Sequence, residues 1–426
     1  MKSNLQLNSL NETYSIKNGI FTTMILNISN NYFSLFAIIV LGATNYQIGL
    51  INSLPQFIGM FAMFIGSIIV SRLETKKTFT IYSFLAARLF LLAMVFVVYL
   101  PESIRGWVFV ILIGLMNLPG SFANLSWQAF ISDLIPEKQR SRFFSERNRI
   151  LTLVGMISTF IMGILLQMFD KSNSLPYQVL YLFAFLFGIA EIYYLKKHIE
   201  QKKIKQSEQK KLTLGLFVFK QKPYLYFVLC SLFFNFGWQM AWPLFNIYQI
   251  KYAEATGLWI SLFVVANQIS QVISFKWWGR MADKYGHAKM LILVAIGMAT
   301  APMLTVLSKN LVYLIFVNGF TGFFVSGTIL ILFNQLLEVS NEENRSAYIA
   351  NYNVLLALIA FIAPQFGVYL LEMTNMNIAM NVSTILRLTS AIFFLMFALY
   401  LQKNSLHSYH SFGLKLALKK LRTFYQ

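Results

Sequence analysis

The stretch "WGRMADKYGHAK", residues 278–289, carries two glycines, one aspartate and the basic residues Arg280, Lys284 and Lys289. Alone, it could be a phosphate-cradling turn of a soluble enzyme. Its surroundings argue against that. The next residues, 290–307, read "MLILVAIGMATAPMLTVL", and a second such run, "AIFFLMFALYL", fills 391–401. A bilayer core of about 30 Å is crossed by about 20 apolar residues in a helix. The polar stretch therefore joins segments that belong in lipid.

Composition extends this reading to the whole chain. Of 426 residues, 57% are hydrophobic and 12% charged, with a mean hydropathy of +0.60. A soluble protein carries roughly 25% charged residues, and half of that leaves too little polar surface to face water. Helices are the expected spanning form, because lipid offers no partner to a free backbone group. The short alternating strands of a barrel are not seen. Apolar segments fall at 18–41, 46–70, 78–100, 106–132, 143–169, 175–195, 223–248, 254–275, 290–308, 311–337, 346–371 and 378–402. The expected fold is an all-α membrane protein with twelve transmembrane helices. The first segment, with Asn27, Asn30 and Asn31, and the seventh, with Asn235, Gln239 and Asn246, are the more polar ones.

The net charge of +19 would suggest nucleic acid in a soluble protein. Its placement indicates topology instead. With the N-terminus inside, the tails and the loops 71–77, 133–149, 196–222, 276–289 and 338–345 hold 29 of the 35 Lys and Arg. Only Arg105, Lys171, Lys251 and Lys309 fall in the other loops, while Arg88 and Arg387 lie within spans. By the positive-inside rule, both termini are expected in the cytoplasm of a cell, of bacterial type, with the protein in its plasma membrane. Nucleic acid is not an expected partner. Cys230 reads as a packing residue in an apolar run. His198, His287, His407 and His410 form no ligand spacing, so no metal or cofactor is expected. Residues 1–17 are polar, with no cleavage site after an apolar core.

The two halves repeat. "ISDLIPEKQRSRFFSERN" (131–148) follows the fourth span, and "LLEVSNEENRSAYIANYN" (336–353) the tenth. Aligning Arg140-Ser141 with Arg345-Ser346 pairs Asp133 with Glu338 and Asn148 with Asn353. "SRLETKK" (71–77) likewise corresponds to "DKYGHAK" (283–289). Two six-helix units in parallel repeat imply a pseudo-twofold axis along the membrane normal. The expected organisation is an N-terminal tail 1–17, a bundle 18–195, a polar linker 196–222, a second bundle 223–402 and a basic tail 403–426.

On these features the chain resembles the major facilitator superfamily of transporters. Gly279, Asp283, Lys284, Gly286 and Lys289 fit that superfamily's loop pattern of Gly, three residues, Asp, a basic residue, one residue, Gly and further basic residues. The copy after the second span is degraded, with Ser71 in place of Asp and Glu74 in place of Gly, although Arg72, Lys76 and Lys77 remain. The resemblance covers essentially the whole chain. It implies two six-helix bundles that move a small organic solute by alternating access. It also implies that Asp283 closes the cytoplasmic side by meeting the start of the fifth span and Arg142 or Arg147. Glu338 with Lys284, and Asp133 with Arg72, would be same-half pairs, with Arg345 beside them. As a bare polar turn, the same residues would carry topology alone.

Polar residues inside spans are costly unless they face a cavity or one another. The candidates for solute contact are Asn27 and Asn31 in the first span, Asn124 and Gln128 in the fourth, and Asn235, Trp238, Gln239 and Trp242 in the seventh. Asn267 in the eighth and Asn318 in the tenth complete the set. Amides with tryptophans suit sugar hydroxyls or an amphipathic molecule, and equally serve to join helices. Arg88 and Arg387 would anchor an anionic group, or pair internally. The first, fourth, seventh and tenth spans lack a mid-membrane carboxylate, so coupling through one is not supported. In the tail, Leu414, Leu418, Leu421 and Tyr425 share one face and Lys415, Lys419 and Arg422 another, as in a helix lying on anionic lipid. The chain is expected to act as a monomer. Two other function classes stay open: an enzyme acting on lipid-linked substrates, or a transport-dead sensor or lipid-moving protein on the same fold.

Overall fold

The computed structural model describes residues 2–73, 75–135, 137–200 and 215–424, with the side chains of 2–9, Ser71, 132–133, 137–139, Ser141 and 404–424 excepted. Among the described residues there are thirteen α-helices and no strand. They are α1 (Lys2–Ile39), α2 (Asn45–Arg72), α3 (Lys76–Val95), α4 (Glu102–Leu134), α5 (Glu137–Gln167), α6 (Leu175–Lys196), α7 (Lys222–Gln239), the short α8 (Trp242–Ile247), α9 (Gly257–Tyr285), α10 (His287–Leu307), α11 (Leu311–Glu338), α12 (Arg345–Met373) and α13 (Met376–Phe424). Among the described residues, eleven spans are long and apolar enough to cross a membrane, α7 and α8 forming one of them. The row of Asn and Ser along α1 keeps it out of that set.

The bundle is built as a repeat. In the first half α1 packs on α5 and α6, α2 on α4, and α3 on α4 and α6; in the second, α7 packs on α12 and α13, α9 on α11, and α10 on α11 and α13. The two most extensive cross-half seams, α2 with α12 and α5 with α9, exchange under the same correspondence. A buried arginine ties the matching pair in each half. Arg88 of α3 bonds Glu191 of α6, and Arg387 of α13 donates to the Met298 carbonyl of α10.

Several boundaries differ from the sequence expectation. The N-terminal tail is not a separate segment, since α1 is helical from Lys2. Its extension is held by Asn11, which donates to the Ile199 carbonyl (3.3 Å) and accepts from the Ile199 amide (3.0 Å). His198 is buried beside it, and that burial pushes its pKa down to about 4. The Glu200 carboxylate accepts from the Lys76 and Lys77 amides at the start of α3, where the helix dipole favours an anion. The start of the linker is therefore fastened beneath the first half.

The stretch 278–289 is not a loop either. Helix α9 runs on to Tyr285, and one residue, Gly286, separates it from α10. Gly286 has φ +87°, and its amide donates to the Ala282 carbonyl at 2.8 Å. Glycine meets that left-handed requirement without strain. The seventh span breaks at Met240–Ala241 and resumes as α8 and a wide turn over Tyr248–Tyr252. At the C-terminal end, α13 continues without interruption through residue 424, where a separate tail helix was expected.

Apolar cores join at one end of the molecule and separate at the other. One cluster includes Phe36, Ile48, Phe109, Met162 and Tyr181 of the first half together with Leu244, Phe263, Leu314, Val368 and Met380 of the second. Toward the basic end, where the Lys- and Arg-rich loops lie, each half has its own cluster: Phe84, Phe130 and Phe143 in the first, Trp278, Leu291 and Tyr348 in the second.

Candidate functional site

Contacts between the halves seal the end opposite the basic loops. Asn45, at the start of α2, donates to Glu372 Oε1 (2.6 Å) and accepts from Lys251 Nζ (2.8 Å). Lys171 donates to the Glu254 carbonyl at 2.8 Å. One layer deeper, Gln365 donates to Ser53 (3.1 Å) and Asn246 to Ser34 (3.3 Å). Deeper still, the Phe57 and Phe361 rings stack at 4.4 Å. Two glycines permit this approach on the α5–α9 seam. A side chain at Gly163 would overlap Ser261, and one at Gly257 would overlap Leu166.

Below the seal, toward the basic end, a cleft of about 350 Å³ lies between the halves. Its walls are Thr23 and Asn27 of α1, Asn148, Leu151, Thr152 and Gly155 of α5, and Gln268, Gln271, Val272 and Phe275 of α9. Helical spacing explains the grouping, because residues three, four and seven apart share a face. Asn27 also donates to the Gly155 carbonyl (3.1 Å) and Ser158 Oγ (3.3 Å), so it joins α1 to α5 while lining the cleft.

The other candidates for solute contact lie elsewhere. Asn31 donates to Thr159 Oγ1 at 3.2 Å. Asn124 and Gln128 are exposed on α4. Asn235 is buried and donates to the Ser231 carbonyl on its own helix at 2.8 Å. Gln239 is buried with its Oε1 unpartnered, and Trp238 meets Trp242 edge-on at 5.9 Å, where α7 breaks. Asn267 donates to the Asn318 carbonyl (3.0 Å) and accepts from Gln271 (2.6 Å), linking α9 to α11. Asn318 donates to the Leu314 carbonyl at 2.7 Å.

Both mid-span arginines are engaged inside their own halves. Arg88 makes a two-pronged contact with Glu191, at 2.9 and 3.1 Å, and Thr22 donates to the same carboxylate at 2.6 Å. Arg387 is fully buried and donates to the Gly237, Trp238 and Met298 carbonyls. Two of these belong to the last turn of α7, where free carbonyls and the dipole favour a cation. Arg387 thus caps the broken seventh span.

The residues of the basic-end motif are spread out. Asp283, Lys284, Arg72 and Arg142 are exposed. Glu338 pairs with His287 (3.1 Å), not with Lys284, which lies 5.1 Å over the Tyr285 ring. The reason is local: His287 opens α10 and sits beside the end of α11. Arg147 stacks 4.4 Å over Trp127 and donates to the Ser15 carbonyl, inside its own half. Arg345 pairs with Glu342 at 3.5 Å. A side chain at Gly279 would meet only Leu330, at 3.9 Å, so no close helix approach requires glycine there. The Asp133 side chain and Glu74 lie outside the described residues.

The candidates read from the sequence do not include Thr23, Asn148, Thr152 and Gln268. The signal for them is the polar pair at helical spacing: Thr23 with Asn27, Asn148 with Thr152, Gln268 with Gln271. The repeat alignment also marks Asn148, through Asn353.

A profile described as the Major Facilitator Superfamily matches residues 19–277 and 229–422. No curated protein matches the sequence. Among solved structures, the nucleoside transporter NupG superposes with a TM-score of 0.71 at 13% identity, over 93% of this chain and 99% of that one. A D-xylose–proton symporter gives 0.64 at 13% identity, over 90% and 96%. A bacterial homologue of the human lysosomal transporter Spinster, in an inward-facing and unoccupied conformation, gives 0.64 at 11% identity, over 93% and 96%.

Proposed function

The chain belongs to the Major Facilitator Superfamily and is a multi-pass membrane transporter of that fold, and from this premise we propose that it carries a small organic solute across the plasma membrane by alternating access. The observation that supports this reading is the fusion of the apolar cores at one end and their separation at the other, with a cleft between the halves at the separated end. The positive-inside rule assigns the basic end to the cytoplasm. The described state then faces inward, sealed outside by Asn45, Lys251, Glu372 and the glycine seam. The two bundles, 18–195 and 223–402, rock about the cleft. Labelled-solute counterflow in proteoliposomes tests the reading. Failure of every solute in a broad panel to exchange, with the protein folded and inserted, overturns it.

In the opposite state the cytoplasmic end closes. Asp283, exposed in this state, then reaches the start of α5 and Arg142 across the interface, with Arg147, Lys284, Arg72, Asp133, Glu338 and Arg345 around it. Each partly hydrated pair contributes on the order of 1 kcal/mol, weak enough to open in every cycle. Asp283→Asn is therefore expected to leave folding intact, slow exchange several-fold and reduce disulfide trapping between cysteines at Tyr285 and Ser145, two exposed positions beside the proposed contacts. Unchanged trapping together with unchanged exchange removes the latch.

The tail gives a separate prediction. A peptide of residues 413–426 is expected to become helical on vesicles of anionic lipid and to stay a coil on neutral ones, each basic residue contributing about 1 kcal/mol. A coil spectrum on both removes the lipid contact.

A further inference from the structure

We infer that the cleft takes an uncharged solute, one that carries several hydroxyl or amide groups around a ring or other apolar face. This rests on the proposed function, which places the cleft on the solute path. It goes further by naming the chemistry.

Polar side chains elsewhere in the spans are largely satisfied by their own helix. Asn117, Asn235, Asn318 and Asn351 each donate to the carbonyl four residues back, and so do Thr305, Thr321 and Thr328. The cleft breaks that habit. Among the described residues, the side chains of Thr23, Asn148, Thr152 and Gln268 make no hydrogen bond, and the Gln268 Oε1 atom is buried. Leaving a buried acceptor unpaired costs about 1–3 kcal/mol. Four polar groups from three helices thus converge on one space with their capacity free. Threonines and amides both donate and accept, which suits hydroxyl and amide groups on the solute.

Charge complements this. None of the ten lining residues is ionisable. The embedded charges nearby are already engaged: Glu191 with Arg88 and Thr22, Arg387 with three carbonyls, and Arg147, next in sequence to Asn148, over Trp127. The lining itself offers no opposing charge to offset the water that a charged solute would lose against it. The apolar face is equally specific. Phe275 and Val272 follow Gln268 by seven and four residues on α9, and Leu151 lies beside Thr152 on α5. A ring can lie against them while its polar edge meets the amides. The cleft volume of about 350 Å³ is within the range of small-molecule sites.

The test uses the purified full-length protein and direct binding of labelled glucose, inositol and uridine, competed by their phosphates, uronic acids and amino derivatives. At least one neutral probe is expected to bind, with its charged counterparts about tenfold weaker or more. Gln268→Leu and Thr152→Val, on different helices, are each expected to weaken that binding about five- to tenfold, roughly one hydrogen bond. If one variant does not fold, the other carries the same test. Tighter binding of a charged counterpart, absence of binding by every neutral probe, or wild-type affinity in the folded variants overturns the assignment. The underlying reading fails differently. Exchange of a charged probe in proteoliposomes would remove the substrate class and keep the transporter, whereas neutral binding without exchange would do the reverse.

Discussion

Arg88→Met is expected to be the most damaging single change away from the cleft, with a large drop in melting temperature and in the yield of folded protein. Glu191 is fully buried, and Arg88 is 6% exposed. The guanidinium contacts both carboxylate oxygens, Thr22 adds a third bond, and Asn18 donates to the Glu191 carbonyl at 3.0 Å. Three helices, α1, α3 and α6, meet at this pair. Removing one partner of a buried ion pair costs about 3–5 kcal/mol, because the other charge remains buried without compensation. Glu191→Leu is expected to be as harmful. The double variant Arg88→Met/Glu191→Leu is expected to recover most of the loss, because an apolar pair of similar volume leaves no charge behind. Gly188→Leu is expected to act in the same direction, since a side chain there overlaps the Arg88 methylenes. Size-exclusion chromatography of detergent extracts after graded heating measures all four. Single variants that melt with the parent protein would show that the pair does not hold the fold.

Gly163→Leu is expected to reduce solute exchange at least tenfold while the protein still folds. Gly163 faces Ser261, and a Cβ at this position would also meet the Gly257 carbonyl oxygen at 3.1 Å. Backbone cannot swing aside as a flexible side chain can. Overpacking of this kind costs about 1–3 kcal/mol. The strain falls on a contact between the halves, so it is expected to destabilise the sealed state and shift the population toward one in which the seam has parted. Ser53→Cys, shielded behind its contact with Gln365, reports the change. In the Gly163→Leu background it is expected to react faster with a membrane-impermeant thiol reagent added outside. Parent-level exchange together with continued protection of Ser53→Cys would show that the seam tolerates the larger residue, and the gate would have to be sought elsewhere.

Eleven of the twelve expected spans and a two-half repeat were legible in the sequence because they depend on patterns each segment carries by itself; the first span, broken by Asn and Ser, gains its place from the repeat. Apolar length is read off one helix at a time, and the bias of Lys and Arg toward alternate loops is a sum over short loops. The repeat was legible for the same reason, through matched local stretches such as 131–148 and 336–353. Gly286 was legible only as a position in the loop pattern, and its positive φ came from the structure. What the sequence left open was decided by partners distant in the chain. Whether Arg88 and Arg387 face a solute depends on Glu191 and on the carbonyls of α7 and α10, which lie roughly ninety residues or more away. An asparagine that joins helices and one that faces a cleft look alike in one dimension. Asn318 turns back on its own helix, whereas Asn148 does not. Charged residues of the motif at 278–289 were visible, but their pairing was not, because it depends on how neighbouring helices sit: Glu338 of α11 meets His287 at the start of α10, not Lys284. Local pattern marks which segments are long and apolar enough to cross a membrane. Only the packing of helices against one another decides which polar atoms are satisfied within the protein, and which of the remainder, Gln268 among them, face the cleft.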